Sequence, residues 1–367
     1  MTMNEKEFAT KIRRIGGTAY IVGGAVRDLV IRRVPHDKDY VVTGVLEKDF
    51  FSEFPNATKV GNSFPVYLVD IDGESCEVAF ARTEKKNGHG YRGFVVSFNP
   101  SVTIEEDLFR RDTTMNAMAI EILTGKLVDP FNGENDVKNH VINAVSHHFL
   151  DDPVRSLRAA RQAAEHGFIV SNATIEMMKS SKEELKTVTP ERCFKELEKA
   201  LKSKHPDVFF KYLKETDLIG VCFPFISDVD ASIKILKKVS TDNIVVKFAA
   251  MMSIYKEDVI TALPCCYPSK MVKAAIVCSE FCDKIPFMTD IEVVEFYDVM
   301  KRYFRYFGMD ELKVVLLSKD IQIPYYINSD LFNKVTKYKV SIPKELEHEA
   351  IHEYVLKEKA KFIKKTL

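Results

Sequence analysis

The rhythm of apolar and polar positions changes once along this chain. In the first 145 or so residues, short apolar runs alternate with stretches of helical spacing. Ala19-Tyr20-Ile21-Val22 reads as a buried strand, residues 25–32 as a short helix, and Tyr40-Val41-Val42 as part of a second strand. A helix near residues 46–54 precedes two strand candidates, 66–71 and 75–80, joined by Asp72-Gly73, a dipeptide suited to a tight hairpin turn. That hairpin is expected to pair with the strand that begins near Asp37. From Asp151 the spacing is helical: Asp152 reads as an N-cap, Pro153 as the first helical position and Gly167 as the C-cap. Further helical patterns occupy 232–239, 245–253, 291–305 and 310–317, and the chain ends in a lysine-rich stretch, 357–365. The pattern predicts a small mixed α/β region followed by an all-helical remainder.

Composition changes that picture little. At 367 residues the chain has room for two or three domains. Lys+Arg and Asp+Glu are both 53, so any basic surface for nucleic acid must be a local patch. The 7 cysteines include no C-x-x-C pair and read as reduced thiols, pointing to a cytoplasmic setting rather than a disulfide or zinc framework. No apolar run approaches membrane-spanning length, and the first residues lack the apolar core of a signal peptide, so no membrane partner is expected.

The chemistry concentrates around Gly23-Gly24-Ala25-Val26-Arg27-Asp28 and Asp37-Lys38-Asp39. Two glycines after a strand allow a tight turn and close approach of a ligand, and Arg27 adds a positive charge suited to phosphate. Asp37 and Asp39 alternate along the second strand and would project from one face, where two carboxylates repel unless a cation lies between them. Oxygen-only ligands beside a polyphosphate suit Mg²⁺. A bare D-x-D is also what a polar turn on a solvated strand edge looks like; the glycine turn just upstream favours the metal. Glu77 is open to either reading, as a third carboxylate or as a solvated strand residue. Residues 81–94, with three glycines and several basic side chains, read as a basic surface loop or as a lid over nucleotide and primer. In Asp107-Leu108-Phe109-Arg110-Arg111-Asp112-Thr113-Thr114, the aspartate and threonines suit a local turn cap or, with the arginines, a nucleotide. Arg155, Arg158 and Arg161, spaced by three on the later helix, form a stripe with few nearby acidic residues in sequence, either solvated or facing something anionic.

The glycine pair, V-R-D, D-x-D, R-R-D, the D-D-P-V-R stretch at 151–155 and Glu191-Arg192-Cys193-Phe194-Lys195-Glu196 occur in an order that resembles the class II tRNA nucleotidyltransferase and bacterial poly(A) polymerase family. That family belongs to the DNA polymerase β-like nucleotidyltransferase superfamily, and the likeness runs over about residues 17–220. The resemblance implies an α+β fold: a nucleotidyltransferase head at 1–145, a helical neck at 146–225 that recognises the base, and a helical body and tail at 226–367 that bind tRNA. It implies that Asp37 and Asp39 are catalytic metal ligands, and that Gly24, Arg27, Arg111, Asp112, Asp152, Arg155, Arg158 and Arg161 contact nucleotide. Asp151 stands where the family usually has glutamate, and the E-R-x-x-x-E helix is expected to brace the neck. The substrates implied are CTP and ATP, the cofactor Mg²⁺, and the partner a tRNA held at its 3′ end, acceptor stem and elbow.

Base-edge chemistry adds an argument of its own. A carboxylate at Asp152 beside a guanidinium at Arg155 presents acceptor then donor, which complements the amino group and ring nitrogen of cytosine and of adenine; uracil and guanine would set a carbonyl against the carboxylate. The expected reaction is template-independent addition of the 3′-terminal CCA to tRNA. Poly(A) synthesis or addition of CC or A alone shares the same motifs, and a non-catalytic tRNA-binding protein is the alternative of another class. Residues 246–253 lack the His-Asp pair of a phosphohydrolase, and His348 and His352 read as an exposed helix face, so no hydrolase activity is expected.

Overall fold

The computed structural model describes residues 3–35, 37–60, 66–86, 94–97, 99–303 and 305–366. Two compact units emerge: Met1–Cys193 with Glu215–Cys222, and Phe194–Lys214 with Phe223–Leu367.

The first unit opens with α1 (Glu5–Arg14), whose start is fixed by a capping box between Asn4 and Glu7. There follow β1 (Thr18–Val22), α2 (Gly24–Val30), β2 (Asp39–Thr43), α3 (Glu47–Glu53), β3 (Thr58–Val60), β4 (Val66–Ile71), β5 (Glu74–Phe80), β6 (Thr83–Lys86), β7 (Phe94–Ser97), α4 (Ile104–Phe109), β8 (Ala119–Glu121) and β9 (Leu127–Val128). Seven of the strands form one mixed sheet in the order β3-β4-β5-β2-β1-β8-β9, and β6 pairs with β7 separately. The expected hairpin is β4–β5, with Asp72 at φ 56° and Gly73 at φ 83°, the positive values that a two-residue hairpin turn demands. As expected it lies against β2, which runs parallel to β5 and antiparallel to β1.

Alternation along the strands builds two cores. On one side Phe8, Phe50, Phe54, Tyr67 and Phe80 form a ring cluster with centroids 4.9 to 5.4 Å apart, and Tyr40 of β2 joins it edge-on to Phe8. Each such buried side chain contributes about 1.5–3 kcal/mol. On the other side Val41 packs with Val22, Ile104, Leu108, Ala117 and Ala119. Asp39 shares the parity of Val41, so the sheet directs it toward the face that α4 covers.

α5 (Gly133–Lys138) is seated by Asp129, whose carboxylate accepts from the backbone of Gly133 (2.7 Å) and Glu134 (2.9 Å). β10 (Val141–Ile142) pairs in parallel with β11 (Ile169–Val170), and between them lies α6 (Val154–His166). Its start falls one residue later than expected, at Val154 with Pro153 in the N-cap position, though Asp152 still accepts from Val154 through its side chain (3.2 Å) and from Arg155 through its carbonyl (2.9 Å). Gly167, at φ 70°, closes it by donating to the Ala163 carbonyl (2.9 Å). α7 (Asn172–Ser180), α8 (Lys182–Leu185) and α9 (Pro190–Lys202) follow.

In the second unit the helix Ile244–Met252 is buried along nearly its whole length. Its Lys247 is buried too, and Nζ donates to the carbonyls of Leu201 (2.8 Å) and Ser203 (2.9 Å), closing the C-terminal end of α9. The terminal helix Ile351–Thr366 packs on Asp290–Tyr303 and is tied to it by Lys359–Asp298 (3.3 Å) and Lys364–Asp290 (3.1 Å). No helix of the described residues is long and apolar enough to cross a membrane.

Candidate active site

β1 ends at Val22, and the register sets Asp39 directly across from it. The chain then turns at Gly23, at φ 70° and ψ −134°, into α2. Only glycine occupies that backbone region without a penalty of about 1–3 kcal/mol. A side chain at Gly23 would also place a Cβ 3.1 Å from Nη1 of Arg111, so the turn is shaped around that guanidinium. α2 is seven residues long, too short for a large dipole, and the positive charge at this end of the sheet comes chiefly from side chains. Arg27 is held on both sides, by Asp28 (2.9 and 3.0 Å) and by the Asn116 side-chain oxygen (3.0 Å).

One expectation needs correcting in detail. β2 begins at Asp39, so Asp37 lies in the bend before the strand rather than on it. The two carboxylates are nonetheless electrostatic neighbours. Desolvation by the surrounding protein pushes the Asp39 carboxyl up; Arg111 opposes the shift and Asp37 adds to it. Both aspartates keep an exposed face. A pair of mutually repelling, solvent-open carboxylates fits a hard divalent cation, since such an ion relieves the repulsion with oxygen ligands. Glu77 is exposed on β5, where the parallel register with β2 aligns it with Asp39. Among the described residues, no three His, Cys, Asp or Glu side chains converge as a metal-holding group.

Asp107, which composition and spacing had left unremarked, is the buried centre of the next layer. Its carboxylate has no exposure. It accepts from Arg110 (2.6 and 3.2 Å), from Arg111 (3.1 and 3.4 Å) and from the Arg82 backbone (3.3 Å). Burial alone would raise its carboxyl; the two guanidiniums outweigh burial and hold it below the usual range. The signal was present in the sequence, because a carboxylate three and four residues ahead of an arginine pair shares their helix face. Arg110 continues outward to Glu84 on β6 (2.9 Å), and Glu84 also pairs with Arg82 (3.1 Å) and lies 3.9 Å from Arg155. The loop that follows, residues 87–93, lies outside the described residues.

Asp112 is enclosed rather than open. It accepts from the Thr113 backbone (2.8 Å), from Arg158 (2.7 Å) and from Gln162 (3.1 Å). Burial would lift its carboxyl, but the Arg158 charge and these bonds hold it far below the usual range. The arginine stripe thus has acidic partners, two of them distant in sequence: Arg158 meets Asp112 and Arg155 approaches Glu84, while Arg161 meets Glu165 one turn on (2.6 Å). Arg155 is itself buried and donates to the His148 carbonyl (2.6 Å).

Asp152 and Arg155 stand one helical turn apart at the head of α6, and the protein fixes each separately. Arg192 at the start of α9 grips both Asp152 oxygens (3.1 and 2.8 Å), while Asp151 pairs with His148 Nδ1 (2.6 Å) on the preceding 3₁₀ turn. The structure therefore brings Gly24, Arg27, Asp37, Asp39 and Arg111 to one end of the sheet. Arg158, partly exposed, pairs with the buried Asp112.

Known proteins resemble the chain over both regions. Residues 19–143 match the family model described as the poly A polymerase head domain, and 167–229 match the probable RNA and SrmB-binding site of polymerase A. A multifunctional CCA protein of Haemophilus ducreyi is 39% identical over 223 residues, covering 59% of this chain and 53% of that protein. A CCA-adding enzyme of Alteromonas mediterranea is 43% identical over 224 residues, covering 59% and 55%. The chain spans about half the length of the curated relatives it matches. Among solved structures, a CCA-adding enzyme in an apo form superposes with TM-score 0.71 at 22% identity, over 97% of this chain and 91% of that one. The Thermotoga maritima CCA-adding enzyme complexed with tRNA gives 0.68 at 21% identity, over 97% and 89%. These likenesses show a shared fold. With the head domain and its RNA-binding neighbour both present and in order, the chain belongs to the family of poly A polymerases and CCA-adding enzymes.

Proposed function

We propose that this protein is a tRNA nucleotidyltransferase that builds the 3′-terminal CCA from CTP and ATP without a nucleic-acid template, in the cytoplasm. The observation that carries the reading is the meeting, at one end of the sheet, of the Asp37–Asp39 pair with the Gly23 turn and Arg111. Asp37 and Asp39 would hold Mg²⁺, which when bound lowers the pKa of the attacking 3′-hydroxyl and draws charge from the departing pyrophosphate. Arg27, braced by Asp28 and Asn116, and Arg111, braced by Asp107, orient the triphosphate so that the α-phosphorus faces the hydroxyl in line. Asp152, anchored by Arg192, offers an acceptor to the amino group of cytosine or adenine, and Arg155 offers the adjacent donor.

RNA would be held by the second unit, and its charges favour one place over another. The lysines of the terminal helix are largely neutralised, Lys357 by Glu353, Lys359 by Asp298, Lys361 by Glu358 and Lys364 by Asp290. Lys301, Arg302 and Arg305 are exposed, have no ion pair among the described residues, and include the only two arginines after Arg192. Arg305 lies over the ring of exposed Tyr306 (5.7 Å). Free guanidiniums with an aromatic ring suit an RNA backbone.

The test is incorporation of labelled CTP into tRNA lacking its CCA, with Mg²⁺ and with the metal chelated, by wild type and Asp39→Asn. The reading expects chelation to stop the reaction, and the substitution to cost several kcal/mol of transition-state stabilisation, about 10³-fold in rate. Full activity of Asp39→Asn would overturn it.

A further inference from the structure

Phe109, the last residue of α4, is 38% exposed and sits in a cluster of rings. His148 meets it edge-on (centroids 5.1 Å apart), His147 does so at 6.1 Å, and Phe131 lies tilted against it (5.8 Å). The two imidazoles are 4.3 Å apart. Ser146 ties the two segments together: its hydroxyl donates to the Phe109 carbonyl (3.2 Å) and accepts from the His148 backbone (3.1 Å). Phe131 packs against the core beneath, while His147 is exposed and His148 half-buried. A single exposed phenyl is ordinary. A phenyl and two imidazoles gathered on a braced surface make a platform with flat faces and polar edges, which suits a nucleobase better than an aliphatic side chain.

The position of the platform indicates which base. The His148 carbonyl accepts from Arg155 (2.6 Å), and Arg110 and Arg111 follow Phe109 directly, so the platform borders the groups assigned above to the base and phosphates of the incoming nucleotide. In-line attack needs the 3′-hydroxyl of the RNA within about 3–3.5 Å of the α-phosphorus. The terminal base of the RNA therefore lies next to the incoming one. No template strand holds that base, and its identity changes with each nucleotide added. Stacking meets both conditions, because every base has a π-face and none has to be read by its edge. We propose that Phe109, His147 and His148 form the platform on which the unpaired 3′-terminal base of the RNA stacks during addition. This rests on the nucleotidyl-transfer reading above, which puts the incoming base at Asp152 and Arg155.

Steady-state CTP addition to a tRNA lacking its CCA, and to the same tRNA with its terminal nucleotide made abasic, separates the outcomes, using wild type, Phe109→Leu, Phe109→Tyr and His147→Ala. Leucine keeps apolar packing against Phe131 and removes the flat ring, so Phe109→Leu is expected to unfold near the wild-type temperature. It should nonetheless raise the KM for the intact tRNA about tenfold, the loss of one base–aromatic stack, with the KM for CTP unchanged. Tyrosine should restore the wild-type value, and His147→Ala, at an exposed position, should raise it by a smaller factor. On the abasic tRNA, wild type and Phe109→Leu should be alike. If Phe109→Leu and His147→Ala use the intact tRNA as well as wild type does, if the loss persists on the abasic tRNA, or if the KM for CTP rises instead, the platform does not hold the terminal base. A dimer that Phe109→Leu splits, with RNA use unchanged, would make the patch a contact between copies of the chain. If wild type extends neither tRNA, the nucleotidyl-transfer reading itself falls, and this inference with it.

Discussion

Replacing Asp107 probes how the head holds its arginines. The carboxylate is fully buried and bonds both Arg110 and Arg111, so Asp107→Asn leaves Arg111 without this counter-charge and Arg110 with Glu84 alone. Breaking a buried ion pair by removing one partner costs about 3–5 kcal/mol. Asparagine keeps one acceptor oxygen and the side-chain volume, which places Asp107→Asn near the low end, about 3 kcal/mol, and Asp107→Ala near the high end. Chemistry should suffer beyond stability, because Arg111 loses the anchor that points it at the Gly23 turn and Asp39. A displacement of about 1 Å at such a site costs on the order of 10²-fold in rate. Urea unfolding read by hydrogen exchange of first-unit amides gives the first quantity, and single-turnover CTP addition at a temperature where the variant stays folded gives the second. If Asp107→Asn lowers stability by less than about 1 kcal/mol and leaves the rate unchanged, the buried carboxylate is not the anchor described.

Three further outcomes are expected. Arg192→Ala frees Asp152 from the guanidinium that grips it and should narrow the preference for CTP and ATP over UTP and GTP by about tenfold, the worth of a charged hydrogen bond, in competition assays. The folded-state carboxyls of Asp107 and Asp112 are held below their unfolded values, so their stabilisation is complete above about pH 4 and is lost as the pH falls further. Acid unfolding curves should therefore steepen below that pH in wild type and flatten in Asp112→Asn. Arg302→Ala with Arg305→Ala should weaken tRNA binding and lower its salt dependence by about one unit per arginine, leaving CTP affinity untouched, in filter-binding titrations at several salt concentrations.

What the sequence revealed and what it hid divide along range. The Gly23 turn, the β4–β5 hairpin at Asp72-Gly73 and the Asp152 to Gly167 helix are set by neighbouring residues, and periodicity with turn chemistry was enough to read them. The charge partners were hidden because folding brings them from far along the chain: Arg158 bonds Asp112 across 46 residues, Arg192 bonds Asp152 across 40, and Arg110 bonds Glu84 across 26. A stripe of arginines that looks free in one helix is in fact braced by Glu84 of β6, by Asp112 in the turn after α4 and by Glu165 of α6 itself. Asp107 escaped notice for a different reason, since its i, i+3 and i, i+4 relation to Arg110 and Arg111 is local and was legible in principle.

The central claim is addition of CCA, and product length measures it most directly. Purified protein with Mg²⁺ and a tRNA lacking its last three nucleotides would receive CTP alone, ATP alone, or both, with products resolved on a gel. The account predicts extension by CC with CTP alone and by CCA, without further growth, with both. A long ladder from ATP alone would contradict it in favour of poly(A) synthesis, CC without a final A would restrict it to partial addition, and no extension under any condition would leave a protein that binds tRNA without acting on it.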